Sequence, residues 1–294
     1  IGMLLDLSNN FSIVSEIFQE ASDALGVDLW KIAQEDQEAL NLTVNTQPIM
    51  LAAGYATYKV LSNETELSPE FMAGHSLGEY SALVAAESLD FFDAVKLVRK
   101  RAELMQNAVP SDKGAMAAIL GLKDNEVINV CNNLKEKGVI EAVNFNSPGQ
   151  VVVAGEKKLV DSSLELFKAA GAKRAIILPV SVPSHCSLMK EAAIEFKEFL
   201  TTINFAKPIF PVVQNFEAIA YNDEEKIKEG LFHQLFNPVR WTQSIEFMSE
   251  KKINIFLEIG PGKVLTSLGK RINRDSKNIS IDSMESIENF KEIN

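Results

Sequence analysis

A serine flanked by glycines, in the run Gly74-His75-Ser76-Leu77-Gly78, is where residue type and spacing first point to chemistry. The spacing is that of a nucleophile elbow, G-x-S-x-G, which seats a serine on a sharp strand-to-helix turn with its hydroxyl lifted clear of the sheet. The glycines allow the strand and the helix to approach closely. The apolar run Phe71-Met72-Ala73 before the serine and the helical pattern from Leu77 to Ala86 after it supply strand, turn and helix. Amides at a helix N-terminus have no acceptor inside the helix, so the Leu77 N–H is the expected oxyanion donor. A tight structural turn is the competing reading of the same five residues.

A neutral serine hydroxyl is a poor nucleophile and needs a base that works near neutral pH. The chain has three histidines. His75 adjoins the serine, but the elbow turns neighbouring side chains apart, which suits packing or hydrogen bonding. His233 lies in the helix-like apolar run Leu231-Phe232-His233-Gln234-Leu235-Phe236, where a satisfied core or surface histidine is the plain reading. His185, in Pro183-Ser184-His185-Cys186, follows a predicted strand in a loop from which a side chain reaches the top of a sheet, and it is the expected base. No carboxylate is evident to orient its ring. A backbone or amide carbonyl would serve, since the second ring N–H needs only an acceptor.

Arg101 is the third candidate. Ala94, Val98, Arg101 and Met105 share one face of a helix predicted over 90–107, while Arg99, Lys100 and Glu103 lie elsewhere and can be solvated. A guanidinium on an apolar stripe cannot shed its charge and must be paired. Its partner is either an internal carboxylate, in a structural ion pair, or the carboxylate of a substrate gripped in bidentate fashion.

Other elements must position these groups. Helical periodicity runs over 14–39 and 46–61. From 114 to 180 the pattern reads strand (115–120), helix (124–137), strand (139–145), strand (151–154), helix (157–170), strand (175–180), the order of a ferredoxin-like unit. Asn146-Ser147-Pro148-Gly149-Gln150 supplies the turn between its middle strands, and Pro110 with Ser111-Asp112-Lys113 marks a boundary before it. Beyond it come strands at 209–213 and 255–259 and helices near 224–235 and 239–249. The last stretch, about 20 polar residues, is expected at the periphery.

Composition narrows the partners. The 29 basic and 40 acidic side chains give a net charge of -11, which opposes a polyanion, and no dense basic patch offsets it. Nucleic acid is therefore not expected. Cys131 and Cys186 are too few for a disulfide scaffold and lack metal-ligand spacing, which fits a reducing, cytoplasmic setting. No run of about 18 uncharged apolar residues could cross a bilayer. Gly260-Pro261-Gly262-Lys263 lacks phosphate-loop spacing, and no dinucleotide fingerprint is present.

Longer runs carry a family resemblance. Ala73-Gly74-His75-Ser76-Leu77-Gly78-Glu79-Tyr80-Ser81-Ala82-Leu83, Gly114-Ala115-Met116-Ala117-Ala118-Ile119, Val143 through Val151, Pro179-Val180-Ser181-Val182-Pro183-Ser184-His185-Cys186 and Asn237-Pro238-Val239-Arg240-Trp241, in this order, resemble the bacterial malonyl-CoA:acyl carrier protein transacylases of type II fatty acid synthesis. The resemblance spans almost the whole chain. It implies an α/β-hydrolase-like core over 1–110 and 181–294, with an inserted ferredoxin-like subdomain over 111–180. It also implies that Ser76 is the nucleophile, His185 the base and Arg101 the group that binds the malonyl carboxylate. Gln234 corresponds to the family glutamine whose backbone carbonyl orients the histidine.

The implied partners are malonyl-CoA, a coenzyme A thioester used as substrate, and acyl carrier protein, with no metal, no bound cofactor and a monomeric state. Lys263, Lys270 and Arg271 are weak candidates for carrier docking. The family usually begins with a strand and a Gly-Gln-Gly-Ser-Gln segment that supplies a second oxyanion N–H. This sequence opens at Ile1-Gly2-Met3, just beyond that segment, so an N-terminus that is either truncated or disordered is expected, and with it the lack of a first strand and of one oxyanion donor. A serine thioesterase or esterase, and a noncatalytic carrier-binding module, are the alternatives the elbow leaves open.

Overall fold

Gly26 interrupts the first long apolar stretch: its φ of +64° places it in the left-handed region, as the C-cap of the helix Ser12–Leu25. Asp28 and Asp36 then cap two short helices by accepting from the Lys31 and Ala39 N–H groups. The expected helical region 14–39 is thus three helices, Ser12–Leu25, Leu29–Glu35 and Gln37–Asn41. The next, Thr43–Glu64, contains Pro48 in its first turns. A proline there has no N–H for the carbonyl of Val44, and the Arg99 Nη1 donates to that carbonyl at 3.1 Å instead. Arg99, expected in solvent, therefore ties Thr43–Glu64 to the helix Phe91–Ala108.

The computed structural model describes residues 1–180 and 182–292; Ser181, Ile293 and Asn294, which the sequence reading included, lie outside the described residues. In chain order the strands are β1 (Met72–Ala73), β2 (Gly114–Leu120), β3 (Ile140–Ser147), β4 (Gln150–Glu156), β5 (Arg174–Ile177), β6 (Val212–Val213), β7 (Ala220–Tyr221), β8 (Ile255–Ile259) and β9 (Lys277–Ile281). They form three sheets, with orders β1-β6-β7, β3-β4-β2-β5 and β8-β9. Helices surround the first and third, and one apolar cluster runs through Thr43–Glu64, Gly78–Ala85, Phe91–Ala108 and Lys190–Leu200. The parallel pairs β1/β6 and β8/β9 give this part its α/β-hydrolase-like character.

The second sheet is antiparallel throughout, and its order β3-β4-β2-β5 is the ferredoxin-like arrangement. Strand alternation gives it two faces. Ala117, Ile119, Val151 and Val153 pack under the helices Asp124–Asn132 and Lys157–Ala169. Met116, Val152 and Ala154 face the other way and enclose Cys186, so this sheet packs beside the segment that carries His185.

Two further expectations are corrected. The strand at 209–213 is only Val212–Val213, because Pro208 and Pro211 cannot donate to a ladder and Ile209 lies 54% exposed. The C-terminal stretch is not peripheral. There β9 extends β8 in parallel, and Ile281, Ile287 and Phe290 are buried in the main core, an amphipathic pattern hidden by the polar residues between them. Lys291 bonds to Glu64 at 2.6 Å, and the Met284 N–H donates to Asp6 at 2.9 Å, closing the C-terminal helix onto the N-terminal ones. Among the described residues no helix is long and apolar enough to cross a membrane. Ile287→Ala is expected to destabilise the protein by about 2–5 kcal/mol, read as a lower denaturation midpoint at unchanged m value; an unchanged midpoint would return this helix to the surface.

Candidate active site

The elbow is built from the glycine upward. A Cβ on Gly74 would stand 1.9 Å from the carbonyl of Gly78, so only glycine permits the helix Gly78–Ala85 to start this close to β1. A Cβ on Gly78 meets nothing within 4 Å, so the second glycine is not forced by crowding at its own position. Ser76 takes a φ of +51°, a left-handed conformation that costs a non-glycine residue about 1–3 kcal/mol unless its surroundings hold it. Asn215, just after β6, supplies that hold. Its Oδ1 accepts the Ser76 N–H at 2.7 Å and its Nδ2 donates to the Gly74 carbonyl at 2.8 Å. Among the described residues nothing accepts the Leu77 N–H, which stands free at the N-terminal end of the elbow helix.

His185 meets this turn from 109 positions along the chain, its Nε2 2.8 Å from the Ser76 Oγ. Its backbone is also left-handed, with a φ of +66°, and its N–H donates to the Leu235 carbonyl at 3.1 Å. Nδ1 stands 2.7 Å from the Gln234 carbonyl, an acceptor, so Nδ1 carries the proton and Nε2 offers its lone pair to the serine. The ring is 2% exposed; burial, and then the nearby Arg101 charge, lower its pKa to about 3 despite the Gln234 bond. The imidazole is therefore neutral at ordinary pH.

Arg101 is 1% exposed, and its partners are uncharged. Nη1 donates to the Gln47 Oε1 at 2.7 Å, while Nη2 donates to the Gln234 Oε1 at 2.9 Å and to the Ser76 Oγ at 3.0 Å. Among the described residues no carboxylate pairs with it, which removes the structural ion pair and leaves a fork aimed at the serine hydroxyl. One hydroxyl thus sits between a base that can take its proton and a cation that stabilises the oxygen left behind.

The structure brings Ser76, His185, Arg101, the Leu77 N–H and Gln234 into one cluster. His75 bonds to Asn146 at 2.8 Å, and His233 stacks on Phe216 at 4.5 Å and pairs with Glu229 at 3.1 Å, so neither faces the serine. Lys263, Lys270 and Arg271 lie exposed along the helix Val264–Ile272, with Arg271 bonded to Gln150 at 2.8 Å.

Three residues of the site went unread in the sequence: Gln47, Asn215 and Glu79. Glu79 is fully buried; its Oε2 accepts from the Asn215 N–H and from the Gln234 Nε2, each at 2.9 Å. Burial raises its pKa to about 7 against the opposing pull of those bonds and of Arg101. The rule that picked out Arg101, a charge on an apolar helix face, applies equally to Glu79. Asn215 and Gln47 carry no such local signal.

Asn215→Ala is expected to lower the rate of Ser76 acylation at least about tenfold, since it removes both restraints on the strained turn; a single-turnover rate equal to wild type would deny that role. At about pH 5, imidazole nitrogen NMR of the empty protein is expected to show His185 neutral with its proton on Nδ1, and an imidazolium signal would contradict the depressed pKa.

The acyl transferase domain family matches residues 2–287. The malonyl CoA-acyl carrier protein transacylase of Haemophilus influenzae is 49% identical over 294 residues, covering 99% of this chain and 94% of that protein. Its Escherichia coli namesake is 50% identical over 273 residues, covering 92% and 88%. Among solved structures, a malonyl-transacylase in complex with its type II PKS acyl-carrier protein is similar with a TM-score of 0.98 and 47% identity, covering 100% of this chain and 96% of that one. An acyl carrier protein S-malonyltransferase from Vibrio cholerae has a TM-score of 0.96 and 47% identity, covering 99% and 95%. With sequence, fold and the serine cluster in agreement, this chain belongs to the acyl transferase family and, within it, to the malonyl-CoA:acyl carrier protein transacylases.

Proposed function

We propose that Ser76 carries the acyl group as this protein transfers malonyl from malonyl-CoA to the phosphopantetheine thiol of an acyl carrier protein. The observation that carries this reading is the Ser76 Oγ held between the His185 Nε2 at 2.8 Å and the Arg101 Nη2 at 3.0 Å. His185 takes the hydroxyl proton as the Oγ attacks the thioester carbonyl. The Leu77 N–H stabilises the tetrahedral oxyanion. Coenzyme A leaves with the proton from the imidazole, whose orientation the Gln234 carbonyl maintains. The carrier thiol then gives its proton to His185 and attacks the serine ester; the C–O bond breaks, the Ser76 oxygen takes that proton back from the imidazole, and the carrier departs as the malonyl thioester. Arg101, which rests on the serine in the empty site, turns its fork to the malonyl carboxylate.

The site is assembled from one chain, in keeping with a monomer, and two buried free thiols, Cys131 and Cys186, suit a cytoplasmic setting. The separate apolar cluster of the antiparallel sheet supports an inserted subdomain over 111–180.

Mixing with malonyl-CoA is expected to add about 86 Da to the wild-type protein and nothing to Ser76→Ala, with the label passing to an added carrier thiol. Free malonate in place of malonyl-carrier would indicate a hydrolase, and an unlabelled wild type a binding module. Arg101→Ala is expected to lose malonyl transfer by about a hundredfold or more, as charge-assisted pairs of this kind are worth several kcal/mol, while acetyl transfer falls far less. Equal losses on both thioesters would refute the carboxylate clamp.

A further inference from the structure

The Gln234 side-chain amide lies between two buried charged groups. Its Oε1 accepts from the Arg101 Nη2 and its Nε2 donates to the Glu79 Oε2, each at 2.9 Å, so a cation and a carboxyl are linked through one amide without touching. The same Nε2 also donates to the Ser76 carbonyl at 2.9 Å. Glu79 thereby steadies both the residue that orients His185 and, through Asn215, the turn that presents Ser76.

The two oxygens of Glu79 differ. Oε2 accepts both bonds, while Oε1 is buried without a partner. A proton on Oε1 leaves both accepted bonds in place, so this carboxyl can change its charge while the turn and Gln234 stay where they are. We propose that Glu79 is the counter-charge of Arg101 in the empty site, and that it takes a proton from solvent onto Oε1 when an acyl carboxylate occupies the guanidinium.

This inference rests on the malonyl reading of Arg101 given above. With malonyl in place, a dry site would hold one cation and two anions, and the carboxyl with a bare oxygen is the one that neutralises most readily. Burial already puts Glu79 at about 7, within reach of such a change. The other groups facing it do not titrate near neutrality. Arg101 stays charged, and Tyr80, its ring 5.4 Å from the guanidinium, has its phenol pKa raised by burial. His185 is held neutral; Gln234 and Asn215 are uncharged; the helix Lys190–Leu200 presents Phe196 to Tyr80; and His233 turns away to Glu229. Acylation itself is proton-neutral: an O–C bond replaces a C–S bond, and the hydroxyl proton leaves on the coenzyme A thiol. Any net uptake therefore reports a group on the protein.

The test follows proton exchange with an indicator dye in weak buffer, during rapid acylation at about pH 8, where an empty Glu79 is ionised. Malonyl-CoA is expected to draw close to one proton per serine acylated, acetyl-CoA none, and the malonyl uptake to fade as pH falls through about 7. By the same linkage, the malonyl-over-acetyl ratio of kcat/KM is expected to fall up to about tenfold per unit as pH rises above that point. Glu79→Gln, which keeps an acceptor oxygen for Asn215 and Gln234, is expected to take the malonyl label without proton uptake and to flatten the pH dependence of the ratio. Full malonylation of the wild type without proton exchange, or uptake that persists in Glu79→Gln, would overturn the inference alone. Absence of malonylation would instead overturn the malonyl reading.

Discussion

A guanidinium removed from water must find acceptors, and Arg101 finds them on three separate segments. Gln47 comes from the long N-terminal helix, Gln234 from the end of the helix Glu224–Gln234, and the Ser76 hydroxyl from the elbow. None of the three is ionised, so the positive charge is solvated by dipoles without being cancelled by contact. That incomplete compensation leaves a buried cation with no anion among the described residues in contact with it. Burial first, and then this charge, lower the His185 pKa, and Glu79 is linked to the guanidinium through the Gln234 amide.

The requirement reaches outward into the fold. Gln47 stands one residue before Pro48, and Arg99, two positions before Arg101, takes the carbonyl that this proline leaves without its helical donor. The two helices are thus joined by neighbouring arginines with different tasks, one bonded to backbone near the surface and the other to side chains within the core. On the opposite side, the ferredoxin-like sheet packs around Cys186 and bonds to the segment at Val239, steadying the chain on either side of the His185–Gln234 contact.

Backbone strain falls on both candidate reacting residues, as it does on Leu4, Glu87, Ala218 and Lys252 elsewhere in the chain. Ser76 and His185 both adopt left-handed backbone conformations, and each is held by hydrogen bonds to a distant segment, Asn215 for one and Leu235 for the other. Such bonds let the surroundings hold what local propensity disfavours. They also keep the Oγ and the Nε2 within hydrogen-bond reach of each other.

Short-range pattern determined much of this protein. The elbow around Ser76, the helix bearing Arg101, the strand-helix order of the insertion and the run ending at His185 are all expressed within a few residues of themselves, since helix and strand periods and turn chemistry are local. The folded chain decided the rest. The Asn215 strap lies 139 positions from Ser76, and the Gln234 amide lies 133 from Arg101, separations over which no period or spacing carries information. The C-terminal residues Ile281, Ile287 and Phe290 looked polar in company and proved to be core, because burial depends on which face a neighbour covers. Whether a buried charge meets an ion, a dipole or a substrate is likewise a property of three-dimensional proximity, and only the packed site shows that Arg101 was left without a carboxylate of its own.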